Sequence, residues 1–210
     1  MPVTDAVPIQ AVVFDAFDTL CEIGNQLHPF AEIARAAGKQ LDARIALMTH
    51  PVDIRQAVER LGSKGLDISA LERNLQTELA SIRLFDDTSP TLLELRARGI
   101  KLAIASNLAA PYAPPLLDLL PFKFDAYAWS FEVGHLKPSA EIFEWVTSRL
   151  GVPAAATLMV GDTYKADYVG ALQAGLQARH LVRAPKPSSD GIMIHSLPEI
   201  LDLPLADQAQ

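Results

Sequence analysis

The 210-residue sequence contains a single cysteine, Cys21. No intrachain disulfide can form, which fits a reducing compartment. No histidine is placed to activate that thiol, so Cys21 reads as a small buried residue rather than a nucleophile. Long apolar runs are missing as well: nothing approaches the ~20 residues of a bilayer-spanning helix. The N-terminus has no basic segment followed by an apolar run, so no signal peptide is evident. The expectation is a cytoplasmic protein with no membrane contact. Positive charge is in deficit, with 18 Lys and Arg against 25 Asp and Glu and a formal net charge of -7. An acidic surface repels phosphate backbones and excludes nucleic acid as a general partner, but it leaves room for a local basic pocket that takes one phosphate. No like-charge run, internal repeat or coiled-coil pattern occurs, and the oligomeric state is open.

Half of the chain is apolar, enough for one sizeable core and a small second unit. The run Ile9 to Phe14 is rich in β-branched residues and stops abruptly at Asp15, as expected of a strand buried on both faces of a parallel sheet. Similar runs occur at Leu102 to Ala105, Thr157 to Val160 and Ala178 to Val182. Helical patterns lie between them. Ser89 and Pro90 read as an N-cap and first turn before Leu92, Leu93 and Leu95, with closure at Gly99. Ile142, Phe143, Val146 and Leu150 form a stripe ending at Gly151. Ala166 to Ala174 gives another helix, closed by Gly175. Strand and helix alternate, so the predicted class is α/β with a parallel sheet. From Glu22 to about Phe85 no strand-like run is seen. There Leu71, Leu75, Leu79 and Ile82 share a helical face, and Ser69 with Glu72 reads as a capping box. The segment reads as a helical unit inserted after the first strand. Prolines mark a loop or interrupted helix start at Pro111, Pro114 and Pro115 and a loop over Ala184 to Gly191, and the tail after Leu205 is expected to fray.

In parallel α/β sheets ligands gather at the carboxyl ends of the strands. Asp15 ends the first predicted strand, and Ser106 and Asn107 end the second. Asp162 follows Gly161 after the third, and Lys137 lies in a loop ahead of a helix. Taken one at a time, these residues have ordinary readings: Asp15 could cap a turn, Asp162 and Asp167 could be helix-start acids, and Lys137-Pro138 could be a solvated turn.

Together they form four motifs: Phe14-Asp15-Ala16-Phe17-Asp18-Thr19-Leu20, Ala105-Ser106-Asn107, Lys137-Pro138, and Gly161-Asp162-Thr163-Tyr164-Lys165-Ala166-Asp167. In type and order these resemble the four motifs of the haloacid dehalogenase superfamily, and with the insert they span most of the chain. The resemblance implies a three-layer α/β/α Rossmann-like core, residues 1–20 and 86–210, and an all-helical type 1 cap, residues 21–85. It implies a hydrolase of a small phosphorylated molecule, with Asp15 as nucleophile forming an aspartyl-phosphate. Magnesium would be held by Asp15, the main-chain carbonyl of Phe17 and Asp162, with Asp167 orienting metal-bound water or Lys137. Thr19, Ser106 and the backbone around Asn107 would bind phosphate oxygens, and Lys137 would balance developing negative charge.

The first motif departs from the family pattern. Two residues after the nucleophile the family's phosphatases usually carry an aspartate that serves as general acid and base. Here that position is Phe17, and an aspartate, Asp18, stands one residue later where glycine is usual. On an extended segment Asp18 would point away from the Phe17 side. Loss of acid–base help costs roughly two to four orders of magnitude in rate, least for good leaving groups. An aromatic at this place instead resembles the 2-haloacid dehalogenases, in which the aspartate attacks carbon without a metal. A scaffold that binds or regulates without turnover is a third reading. Selectivity is expected in the insert, where Asn25, His28, Arg55 and Arg83 are polar candidates.

Overall fold

The computed structural model describes residues 7–38, 40–183 and 191–206. The chain begins with β1 (Ala11–Phe14) and a short β2 (Cys21–Ile23), then runs through α1 (Pro29–Ala36), α2 (Gln40–Met48), α3 (Ile54–Leu61) and α4 (Ile68–Ala80) to β3 (Ile82–Leu84). It continues with α5 (Thr88–Ala97), β4 (Lys101–Ser106), α6 (Ala113–Leu119), β5 (Ala126–Trp129), α7 (Ser130–Val133) and α8 (Ala140–Leu150). The last elements are β6 (Thr157–Gly161), a six-residue π-helical segment Tyr164–Val169 running into α9 (Gly170–Gln173), β7 (Gln177–Leu181) and β8 (Met193–Ile194).

Six strands form one parallel sheet in the order β5-β4-β1-β6-β7-β8. β1 lies inside it, with Phe14 beside Ile104 on one side and Val160 on the other. Alternation explains the layers. Val12 and Phe14 belong to one apolar cluster, and Ala11 and Val13 to another on the opposite face. Both faces are therefore covered, and every residue of β1 is fully buried. Burying a side chain such as Phe14 contributes about 1.5–3 kcal/mol. The first cluster continues without a break from the sheet into the helical insert through Phe30, Ile33, Leu47, Ile54 and Leu71, so insert and sheet share one apolar body.

The α/β class with a parallel sheet holds as read from the sequence. Several local readings do not. The segment read as free of strands contains β2 and β3, which pair antiparallel and carry α1–α4 between them. Three residues are too short to show a period. Ile82, read as part of a helical face, lies in β3. α4 starts from Asp67, whose carboxylate accepts the N–H of Ala70, so the Ser69–Glu72 capping box does not form; Glu72 pairs with Arg55 instead. A capping box exists at Asp53 and Gln56, opening α3. α5 begins at Thr88, ahead of Ser89, and the Thr88 hydroxyl donates to the Leu20 carbonyl. The helix expected over Ala166 to Ala174 is π-helical up to Val169. The triple-proline region is a 3-10 turn, Ala110–Tyr112, leading into α6. The loop expected over Ala184 to Gly191 lies, apart from Gly191, outside the described residues, as does the tail from 207. Ala206 still donates to the Ile9 carbonyl at 2.8 Å. Among the described residues no helix is long and apolar enough to cross a membrane.

Candidate active site

Parallel pairing brings the carboxyl ends of β1, β4 and β6 to one edge, and the chemistry-bearing residues follow those ends. The backbone N–H of Asp15 donates to Val160 at 2.9 Å, which locks the residue after β1 against the end of β6. Asp162 follows β6 directly. Ser106 is the buried last residue of β4. Lys137 arrives from the loop ahead of α8 and precedes a cis proline, Pro138. Asn107 grips its main chain at both amide ends: Oδ1 accepts the Lys137 N–H at 2.7 Å, and Nδ2 donates to the Lys137 carbonyl at 2.9 Å.

The Lys137 ammonium then sits 2.6 Å from Asp15 Oδ1 and 2.7 Å from Asp167 Oδ1, with all three side chains nearly out of solvent. Asp167 projects from the π-helical segment, and its Oδ2 accepts the Thr163 N–H at 2.9 Å. Carboxylate oxygens of Asp15, Asp162 and Asp167 lie within 4.8 Å of one another. Burial raises the Asp15 carboxyl above its ordinary range, with Lys137 opposing. Burial alone would lower the Lys137 ammonium, but Asp15 and Asp167 outweigh it and hold the group charged. Asp162 is pushed up to about 7 by burial and then by Asp15, Asp167 and Asp18. One ammonium thus faces more carboxylate charge than it balances. Such a set of hard oxygen donors suits a small divalent cation.

A polar cavity of about 180 Å³ opens here, lined by Asp15, Phe17, Asp18, Ser106, Asn107, Lys137, Asp162 and Asp167 among others. Thr19 stays outside that lining. It is fully buried, its hydroxyl finds no partner, and its carbonyl accepts from Arg183 at 2.6 Å. The side chain of Asn107 is committed to Lys137 rather than free for a ligand. Asp18 differs from the extended-chain expectation. Its φ of 59° places it in the left-handed region, which aspartate tolerates better than most residues and glycine best. The turn brings it to the same cavity as Asp15. Cys21 is buried and its thiol is pushed well up by burial, consistent with an inert residue.

Of the polar candidates in the insert, Arg55 pairs with Glu72 and Arg83 with Glu22 on the surface. Asn25 lines a separate groove with Gln76 and Thr77. Only His28 faces a cavity next to the site. Residues missed by sequence reading line that cavity, Arg44 on α2 and Tyr112; behind them the buried Glu78 accepts the N–H groups of Leu27 at 2.5 Å and His28 at 2.6 Å and the hydroxyl of Tyr112. Glu78 was legible only as an acid on an apolar helical face, with no hint of its partners.

The family of haloacid dehalogenase-like hydrolases matches residues 9–175. The chain belongs to that family and is a hydrolase. Among curated proteins it is 31% identical over 225 residues to a glyceraldehyde 3-phosphate phosphatase of Methanocaldococcus jannaschii, covering 93% of this chain and 96% of that one. It is 28% identical over 194 residues to the protein of the same name from Methanothermobacter thermautotrophicus, covering 81% and 84%. Among solved structures a dehalogenase superposes with a TM-score of 0.67 at 20% identity, covering 99% of this chain and 100% of that one, a likeness of fold.

Proposed function

We propose that this protein is a magnesium-dependent phosphatase of a small phosphorylated metabolite, working through an aspartyl-phosphate on Asp15. The observation that carries this reading is the Lys137 ammonium held between Asp15 and Asp167 with Asp162 at hand, around a cavity that opens past Ser106. The phosphatase names of the two archaeal relatives support it.

Asp15 Oδ attacks phosphorus while the bond to the leaving-group oxygen breaks. Lys137 balances charge on the nucleophile and then on the phosphoryl oxygens. Ser106 donates its hydroxyl to one of those oxygens. Water then attacks the phosphoaspartate, releasing inorganic phosphate and restoring Asp15. Asp15, Asp162 and the Phe17 carbonyl would hold magnesium, with Asp167 behind them; when bound, the ion offsets the repulsion between carboxylate and phosphate. Phe17 carries no proton, so protonation of the leaving group falls to Asp18, which lines the same cavity and, as the carboxylate left by that step, takes the proton of the attacking water. Residues 1–20 and 86–210 act as the catalytic core and residues 21–85 as its cap.

The test is a panel of acetyl phosphate, phosphate monoesters and 2-haloacids, each with and without magnesium, with released phosphate and halide measured. Phosphate release that needs magnesium and vanishes in Asp15→Asn is the expected outcome. A second reading, 2-haloacid dehalogenation, is favoured by one feature: Phe17 sets an aromatic ring where the phosphatases of the family usually carry a carboxylate. Metal-independent halide release would establish it and overturn the first.

A further inference from the structure

The peptide that joins Asp162 to Thr163 is held at both edges. Its carbonyl lies 2.7 Å from His180 Nε2, and its N–H donates to Asp167 Oδ2 at 2.9 Å. A peptide unit is planar, so gripping both edges fixes its rotation. On the other side of Asp162 the end of β6 is fixed by pairing, with Gly161 opposite His180. The Asp162 backbone is thus held from both directions. Its carboxylate depends on this, because among the described residues it has no ion-pair partner, whereas Asp15 and Asp167 share Lys137.

A carbonyl can only accept, so His180 Nε2 carries the ring proton. The other ring nitrogen, Nδ1, is buried and has no partner. A proton there would be an orphaned buried donor, which is costly. The surroundings therefore select one tautomer, the one that donates to Asp162. The ring is also braced. Its centroid lies 5.4 Å from that of Tyr164 in an edge-on contact of 66°, and Tyr164 stacks on Tyr168 at 5.3 Å. Both tyrosines belong to the π-helical segment that projects Asp167. One segment thus supplies the carboxylate at one edge of the peptide and the packing behind the imidazole at the other.

We propose that His180 is a positioning residue of the metal site: its Nε2–H holds the Asp162 carbonyl and so aims the Asp162 carboxylate at the cation. The inference rests on the magnesium reading of the site and adds to it a residue from β7, outside the four motifs. Outer groups that orient a metal ligand are worth about 10–100-fold in metal affinity.

Calorimetric titration of magnesium into the full-length protein, without substrate, tests the proposal. His180→Phe keeps a ring against Tyr164 and removes the donor. It should weaken magnesium binding about tenfold or more. His180→Gln offers an amide N–H close to the Nε2 position and should recover part of the loss. Urea unfolding without magnesium separates a merely structural role, which would lower stability and leave the affinity of the folded protein unmoved. Unchanged affinity in His180→Phe overturns the proposal. So does an equal loss in both variants, which would trace the effect to something other than the donated hydrogen bond. Imidazole nitrogen NMR of the unmutated protein needs no variant: the neutral ring should carry its proton on Nε2, and a proton on Nδ1 instead overturns the proposal. Failure of the magnesium reading is seen separately, as no magnesium uptake by the unmutated protein, and the proposal falls with it.

Discussion

Gly161 faces Asp167 so closely that a β-carbon on the glycine would fall 2.3 Å from the carboxylate oxygen Oδ2. The last residue of β6 therefore has to be glycine for Asp167 to reach Lys137. Gly161→Ala is expected to push Asp167 aside, destabilise the protein by about 1–3 kcal/mol as overpacking does, and lower activity by more than the stability loss explains. Denaturant unfolding and steady-state kinetics on the same preparation check both effects.

Among the described residues, Lys137 is the cation that bridges the buried carboxylates of Asp15 and Asp167. Lys137→Met removes it and leaves two acids facing each other. Without divalent metal the variant should lose about 3–5 kcal/mol of stability, as when a buried pair loses one partner. Turnover should fall about 10²–10³-fold, the scale of a lost charge-stabilising donor. Unchanged kcat would remove Lys137 from the mechanism.

The raised Asp162 carboxyl makes a prediction about pH. Its value of about 7 in the folded protein exceeds its ordinary 3.8, so between those values the native state holds a proton that the unfolded chain has released. Stability from this group is present at low pH and is lost as pH rises towards 7. A cation bound by the carboxylate competes with that proton. Magnesium should therefore raise the melting temperature more at about pH 8 than at about pH 5.5. Thermal unfolding with and without magnesium at both pH values checks this, and a larger shift on the acid side would remove Asp162 from the ligand set.

Glu78 is almost fully buried and accepts three hydrogen bonds from three residues. Glu78→Gln keeps the shape but loses the charge and replaces an acceptor oxygen by a donor. A cost of about 1.5–3 kcal/mol is expected, the range for hydrogen bonds to a charged group. Tyr112→Phe should cost less, because only one of the three donors is lost and the ring contact with Phe17 remains. Chemical denaturation of the two variants tests that order.

Asp18 is assigned proton transfer to the leaving group. Asp18→Asn should slow alkyl phosphate esters by about 10²–10⁴-fold, the usual span of general acid–base help, and acetyl phosphate far less. Equal losses on both substrates would assign Asp18 to something other than protonation.

Much of this arrangement was legible in the sequence because it depends on local chain behaviour. Apolar runs that stop at a polar residue report a strand buried on both faces and its end. That is how Asp15, Ser106 and Asp162 came to be expected on one edge of a parallel sheet. Gly151 closing α8 with a φ of 63° is another local matter, since only the left-handed region ends the helix there. The reading failed where a tertiary partner competed. Glu72 could serve Ser69 or Arg55, and the structure gives it to Arg55. Asp18 was placed by assuming an extended chain, whereas the turn after Asp15 folds it back to the cavity. Thr19 belongs to the first motif, yet its neighbours bury it.

The sequence by itself determined the alternation of strand and helix, the positions of the strand ends and the types of side chain found there, because each follows from periodicity and turn chemistry within a few residues. Only the tertiary structure decided that Lys137 meets Asp15 across 122 residues of chain, that Glu78 joins the insert to Tyr112, and that Arg44 stands beside the cavity next to the nucleophile. A side-chain pattern reports which face of its own element is apolar. It carries no record of which distant element packs there, and the site is made of those long-range meetings.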